Sequence, residues 1–522
     1  MLPLMSDDSP SRIGRVSLLG AGPGDPELIT ARAMRRLGEA DVVLYDALIH
    51  PDLLKHSRKD AELIFVGKRA GRASERQTRI NDLLIETARQ GKRVVRLKGG
   101  DPYLFGRGSE EAEALHDAGI DFEVVPGVAS PMAASAYTGI SLTHRDLASS
   151  VAYVTATESV EKDASAHDWS KLATATQTIV LFMGLRKLGS LMKLLMEHGR
   201  PPDTPAAVVS SASLPSQQTV LGTVSDIAER AQAAGVRMPA LTIVGPVVEL
   251  RQRLAWYEML PLFGQRVLVT RPRGLGHSMA QALRDAGAEP IELPTIAIVP
   301  PLDRGPLCEA ARRLSSYDWV VFTSVNGVRY FFDALWEVGG DSRAFARARV
   351  AAIGPATARV LREHGLRADV VPSEYRGEAV AEAVVATGAS LSGARVLLPR
   401  AEVARPELPD RLRRAGATVD VVPAYRTVPP DEAQLDGIRQ RLRSGSLDVI
   451  TLTSPSTVQQ LVRGLGPDAQ ALLQGLTLAA IGPVTAKAAR ELGLNPRIVA
   501  GTYTTEGLVD ALIEKLPRKR RG

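Results

Sequence analysis

From residue 14 onwards, short apolar runs alternate with amphipathic stretches, and glycine, proline or aspartate closes most of the runs. VSLLG (16–20) reads as a buried strand, GAGPGDPELIT (20–30) as a glycine-rich turn, and the stretch through Met34–Leu37 as a helix. A second strand follows in DVVLYDALI (41–49). AELIFVG (61–67), RVVRLKGG (93–100) and FEVVPG (122–127) continue the series. A further set lies in VAYVTAT (151–157), TIVLFMG (178–184), PAAVVSSAS (205–213) and PALTIVGPVV (239–248). Strands alternating with helical stretches predict an α/β protein. No apolar run reaches the roughly 18 residues of a membrane span, so no membrane association is expected.

The same pattern places the boundaries. Residues 1–13 read as a loose leader, acidic and without the apolar centre of a signal peptide. The first domain is expected over 14–250, a linker over RQRLAWYEMLPLFG (251–264), and a second domain over 265–522, where a fresh strand RVLVTRP begins. That second domain is internally repeated at a shift of about 129 residues. RVLVTRP (266–272) matches RVLLPRA (395–401), AGAEPIELP (286–294) matches AGATVDVVP (415–423), and DWVVFTS (318–324) matches DVITLTS (448–454). AAIGPATARVLREHGL (351–366) and EYRGEAV (374–380) match AAIGPVTAKAARELGL (479–494) and TYTTEGL (502–508). Matching blocks in one order at one offset imply a duplicated βα unit and two similar lobes. Ligands of parallel sheets bind beyond the carboxyl ends of the strands. Thr323, Ser324, Thr453, Ser454 and the turns Gly354-Pro355 and Gly482-Pro483 are expected there.

Composition narrows the chemistry. The 522 residues are enough for about three or four compact units. With 45% hydrophobic and 23% charged residues, disorder and coiled coil are excluded as the main architecture. Cys308 is the only cysteine and the eight histidines form no HxH or HExxH set, so neither an internal disulfide nor a metal site is expected. A cytoplasmic protein is the expectation. The net charge of +6 calls for an anionic partner, either nucleic acid or a polyanionic small molecule. Aromatic residues make up only 4% of the chain, too few to stack bases beside the basic residues, and the tail Arg518-Lys519-Arg520-Arg521 reads as a solvated end. Nucleic acid is therefore not expected.

GAGPGDPELIT invites a dinucleotide reading, but G-x-G-x-x-G needs a glycine where Asp25 stands. Together with DVVLYDALI, VGKRAG (66–71), LKGGDPYLFGRG (97–108), VVPGVASPMAASAYTGISLTHRD (124–146), LFMG (181–184) and PALTIVG (239–245), it instead resembles uroporphyrinogen-III C-methyltransferase in family order. The resemblance implies a two-lobed tetrapyrrole methyltransferase fold, S-adenosyl-methionine as cofactor, and two methylations of uroporphyrinogen III to precorrin-2. By family position, Pro23, Gly99, Gly100, Asp101, Leu104, Ala129, Ser130, Met183 and Ala212 should surround the cofactor. Asp46 is the implied general base and Lys68 the implied proton donor, although an aspartate after a strand can also cap a helix. Arg69, Arg72 and Arg76, with Arg107 and Arg145, are candidates for the carboxylates of the substrate, because arginine forks pair with carboxylates bidentately. Ala212 stands where the family has glycine, Ser141 where proline is usual, and Ala129 where Ser or Thr is usual. The family is commonly dimeric, so a homodimer is a further expectation.

The duplicated half resembles uroporphyrinogen-III synthase, carried by RVLVTRP, DWVVFTSVNGV, AAIGPATA, LLPRAEVARPELPDRLRRAGATVDVVPAYRT, DVITLTSPS and AAIGPVTA. This implies closure of hydroxymethylbilane without a metal or organic cofactor. Thr323, Ser324, Thr453 and Ser454 are candidate donors to that substrate, or else helix N-caps. Tyr425 occupies the place of a tyrosine implicated in hydroxyl departure, with packing as the alternative, and Arg271, Arg400 and Arg426 are further carboxylate candidates. The rival readings are a non-catalytic tetrapyrrole-binding regulatory module in the second half, and a later corrinoid substrate for the first.

Overall fold

A computed structural model describes residues 14–67, 77–156, 167–270, 277–293, 297–373, 377–388, 390–404, 406–428 and 432–519. They form two compact units. The first holds 14–265, 283–289 and 516–519, and the second holds 266–282 and 290–515.

The first unit contains two five-stranded sheets. Strands β1 (Val16–Gly20), β2 (Val42–Tyr45), β3 (Glu62–Phe65), β4 (Val94–Lys98) and β5 (Phe122–Val125) pair in the order β3-β2-β4-β1-β5, parallel throughout. β1 and β4 are buried along their whole length, as strands covered on both faces must be. The second sheet joins β6 (Val151–Thr155), β7 (Thr178–Phe182), β8 (Pro205–Ser210), β9 (Gln218–Thr223) and β10 (Ala240–Val244) in the order β6-β7-β10-β8-β9. It is mixed: β6 and β7 are parallel, while β10 runs antiparallel to β7 and β8, and β9 antiparallel to β8. β9 is an edge strand of partly exposed residues, so no apolar run announced it. The segment 251–264 is folded against the first unit. It carries a helix over Arg251–Leu254 and buries Tyr257, Leu262 and Phe263.

The second unit shows how the duplication is used. Its strands are β11 (Arg266–Val269), β12 (Glu289–Glu292), β13 (Ala297–Val299), β14 (Trp319–Phe322), β15 (Arg349–Ala352), β16 (Arg395–Ala401), β17 (Thr418–Val428), β18 (Val449–Leu452), β19 (Thr477–Ala480) and β20 (Ile498–Val499). One sheet has the order β12-β11-β18-β19-β20 and the other β13-β17-β16-β14-β15. Each lobe therefore takes the opening strands of one repeat and the later strands of the other. The middle segment 297–428 builds one lobe, and the two ends of the unit build its twin. The correspondence extends to the edge, where Ala479 pairs with Ile498 and, 128 residues earlier, Ala351 bridges Val370. No helix among the described residues is long and apolar enough to cross a membrane.

At the amino-terminal edge of the first sheet, Glu123 is almost fully buried and gathers three donors: Ser17 Oγ at 2.9 Å, Arg36 Nε at 2.6 Å and Arg32 Nη2 at 2.5 Å. Burial alone would raise its pKa. The hydrogen bonds from Arg32, Ser17 and Arg36 outweigh burial and bring it down to about 2 from 4.5. The ionised form is the one the fold prefers. This stabilisation is complete above the unfolded value near 4.5 and disappears as the pH falls through about 2. Differential scanning calorimetry should show E123Q melting lower than the parent at pH 7, with the gap closing below pH about 3. A gap independent of pH would rule out this ion cluster as the cause.

Candidate active site

Because β1, β2, β4 and β5 run in one direction, the loops after them share one edge of the sheet. The loops after β1 and β4 are joined backbone to backbone. Gly22 N donates to Gly100 O at 3.3 Å, and Gly100 N to Gly22 O at 2.7 Å. Gly100 adopts φ 70°, a left-handed conformation suited to glycine, and a Cβ there would find only Ser130 N, at 3.8 Å. It borders open space. Gly99 serves a different purpose: a Cβ would approach Leu48 Cβ to 3.0 Å, so its small size admits the loop after β2. Asp101, expected to meet ligand donors, holds the backbone of its surroundings in place. Its Oδ1 accepts from Tyr103 N at 2.8 Å and its Oδ2 from Gly127 N at 3.1 Å. Pro23 lies half-buried in the first of these loops. Ala129 is the N-cap of the helix Ser130–Thr138 and supplies no side-chain cap, as a Ser or Thr would have done.

The second sheet contributes the other side. Met183 follows β7, Ala212 follows β8, and Leu104 packs with Ala212 against one buried cluster beneath that sheet. The Phe105 ring meets Phe182 at 4.7 Å. These loops are strained. Phe105, Arg107, Met183, Ser211 and Ser213 have φ between 50° and 69°, and among the described residues the only other non-glycine with positive φ is Ala346. Each such residue costs roughly 1–3 kcal/mol, and strain gathered in one place marks a functional region. Leu48, Tyr103, Phe105 and Met183 leave apolar surface exposed around it.

Asp46 follows β2. Its amide donates to Leu97 O at 3.3 Å, and Arg96 Nη2 donates to its Oδ1 at 2.7 Å. It does not cap a helix, since the next helical turn, Pro51–His56, is capped by His50. Arg96 reaches further inward. Its Nε donates to Glu111 Oε1 at 3.1 Å, which also accepts from Lys98 Nζ at 2.8 Å and Gln77 Nε2 at 3.2 Å. Arg96, Lys98 and Glu111 are at most 3% exposed, so two cations and two carboxylates form a neutral set. Burial, and then the neighbouring Arg96 charge, pull Lys98 below the ordinary lysine range, although Glu111 opposes this. No family motif singled out these residues. A signal was present in VVRLK, where charges two apart occupy one face of a strand buried at all five positions.

Of the basic candidates, Lys68, Arg69, Arg72 and Arg76 lie outside the described residues. Arg107 is exposed and paired with Glu110 at 2.5 Å, and Arg145 is exposed. Among the described residues no group of His, Cys, Asp and Glu is placed to hold a metal ion.

In the second unit, Thr323-Ser324 and Thr453-Ser454 follow β14 and β18 at the carboxyl ends of parallel strands. Both serines are N-caps: Ser324 Oγ accepts from Gly327 N at 2.9 Å, and Ser454 Oγ from Thr457 N at 3.2 Å. Tyr425, on β17, is buried in the core of its lobe, and its hydroxyl lies 3.0 Å from Ser324 Oγ. Tyr330 stacks on its ring at 6.1 Å. Arg400 is buried on β16, Arg426 Nε donates to Pro300 O at 3.2 Å, and Arg271 lies outside the described residues.

Comparison with known proteins matches residues 15–228 to the tetrapyrrole (corrin/porphyrin) methylases and residues 277–510 to uroporphyrinogen-III synthase HemD. The porphyrin biosynthesis protein HemD of Ruminiclostridium josui is 37% identical over 503 residues, 96% of this chain and 98% of that protein. The siroheme synthase of Psychrobacter sp. (strain PRwf-1) is 49% identical over 249 residues, 48% of this chain, and the match spans about half (50%) of that relative. Among solved structures, uroporphyrin-III C-methyl transferase from Thermus thermophilus complexed with S-adenyl homocysteine is 41% identical, covering 45% of this chain and 100% of that one, with a TM-score of 0.40. The chain thus belongs to the tetrapyrrole-biosynthesis family in which a tetrapyrrole methylase is joined to a uroporphyrinogen-III synthase.

Proposed function

We propose that the second unit closes hydroxymethylbilane to uroporphyrinogen III and that the first methylates this ring twice, giving precorrin-2. The observation that carries the reading is the shared edge of the first sheet. There the Gly22–Gly100 contact, the start of the helix at Ser130 and the Asp46–Arg96 pair converge. The methyl donor is S-adenosyl-methionine, which supplies an electrophilic methyl group on sulfur. The chain's residues suit it. Gly100 leaves room where a Cβ would intrude, Met183 and Ala212 offer apolar surface from the opposite sheet, and Leu104 adds to it from the loop after β4. Positioning of this kind can lower a transfer barrier by roughly 7–11 kcal/mol.

A new carbon–carbon bond forms at a pyrrole carbon as the methyl–sulfur bond breaks, and the cationic ring that results sheds a proton. Asp46 receives it. Arg96 fixes one oxygen of that carboxylate, and Glu111 and Lys98 fix Arg96 in turn, so the acceptor does not have to be ordered at the moment of reaction. The substrate carries eight carboxylates, for which Arg107 and Arg145 are exposed partners. In the second unit, Tyr425 with Ser324 assists loss of the hydroxymethyl oxygen as water, and the strand-end hydroxyls Thr323, Thr453 and Ser454 hold the open chain in a folded pose.

The intact chain given uroporphyrinogen III and methyl-labelled donor should place two labels on each ring, measured by mass spectrometry. No incorporation would reject this substrate. D46N should lower the rate of methyl transfer by roughly 10²–10⁴-fold while S-adenosyl-homocysteine affinity stays within about twofold. An unchanged rate would remove Asp46 from the mechanism. Y425F should slow ring closure by roughly tenfold or more and shift the porphyrin product from isomer III towards the isomer I of spontaneous closure. A wild-type protein that yields only isomer I would leave the second unit without the proposed activity.

A further inference from the structure

The strained loop 211–213 does not hold its shape alone. A Cβ on Gly24 would come within 2.9 Å of Leu214 Cγ and 3.0 Å of both Ala212 O and Ser213 Oγ, so the glycine-rich loop of the first sheet presses directly onto it. Asp25 N donates to Ser213 Oγ at 3.0 Å, and Tyr137 OH to Asp25 Oδ2 at 3.0 Å. The remaining polar groups lead to the segment that follows the last strand of this unit. Tyr257 OH donates to Ser213 O at 3.3 Å. Ser213 N donates to Gln217 Oε1 at 3.0 Å, and Gln217 Nε2 donates to Glu258 Oε1 at 2.8 Å and to Tyr137 O at 3.3 Å. Ser213, Gln217 and Tyr257 are all buried, at 2%, 1% and 6% exposure.

The same segment grips the helix Ser130–Thr138 at its carboxyl end. Trp256 Nε1 donates to Ala136 O at 2.8 Å and Arg251 Nη1 to Thr138 O at 2.7 Å, while Arg251 also pairs with Glu258 at 2.5 Å. The Tyr137 ring meets those of Tyr257 at 4.8 Å and Trp256 at 5.4 Å. Both elements held in this way, the helix and the 211–213 loop, bear residues assigned above to the methyl-donor pocket. The bracing residues themselves lie beyond the part matched to the methylases, which ends at residue 228.

We propose that residues 251–258 are a working part of the methyl-donor pocket, with Tyr257 and Glu258 as positioning residues that hold Ser211–Ser213 and Asp25 in register for an adenosyl-sulfonium ligand. The inference rests on the donor reading given above. Neither side chain touches the reacting atoms, so the effect belongs in ligand affinity and donor KM rather than in the chemical step.

The test uses the full chain. Calorimetric titration with S-adenosyl-homocysteine, and initial rates at varied donor, are measured for Y257F, E258Q and, as a control, E123Q, which loosens the same unit at the opposite edge of its first sheet. Y257F and E258Q should each raise the dissociation constant and the donor KM roughly tenfold, with kcat changed less than about threefold and E123Q close to the parent. Unchanged affinity in Y257F and E258Q overturns the inference, as does an equal rise in E123Q, which would show that loosening the unit is sufficient. Failure of the parent protein to bind S-adenosyl-homocysteine would instead overturn the donor reading, and the inference with it.

Discussion

Two peptide groups, those of Gly22 and Gly100, exchange hydrogen bonds at the carboxyl edge of the first sheet, and that exchange joins the loops after β1 and β4 on which the proposed methyl-donor site is built. Both residues adopt a left-handed backbone there, φ 80° at Gly22 and 70° at Gly100, which glycine does without a side-chain clash. Once the loops are joined, Asp101 carries the contact onward to Gly127 through its carboxylate, and Ser130 starts its helix beside Gly100. The Asp101 carboxylate thus ties the loop after β4 to the loop after β5.

The charged residues beneath this edge follow from burial. A carboxylate as enclosed as Glu111 is very costly unless cations and donors surround it, and Arg96, Lys98 and Gln77 do so. Removing one member would leave the others buried and unbalanced, so the set behaves as a unit. It is also continuous with Asp46, which gives the proposed proton acceptor a fixed orientation in a partly exposed position. The same arginine pairs the buried Glu111 and orients the proposed base.

The duplicated unit shows where a repeat is a good guide and where it misleads. Matching blocks 128–130 residues apart correctly announced equivalent strands, since both sheets place the equivalents of β12, β11, β18 and β19 in the same order. They did not announce that each lobe would draw on both repeats. Neighbouring βα segments have the same local pattern whichever sheet they enter, so only strand pairing, such as β11 with β18 and β16 with β14, decides the partition. Ser324 and Ser454 are a similar case. Their position at strand ends was legible, but their role as N-caps depends on where the next helix begins.

By itself the sequence determined the α/β alternation, the glycine-rich turns at strand ends, the duplication and the resemblance that names the family. Each of these is written in local spacing or in motif order along the chain. Only the tertiary structure decided that Asp101 binds backbone, that Arg96 joins Asp46 to Glu111, and that Tyr257 reaches Ser213 across 44 residues. Those contacts couple residues far apart in the chain, and a hydrogen bond over such a separation leaves no periodicity in the sequence. It is fixed by which strands pair and how closely the loops beyond them approach.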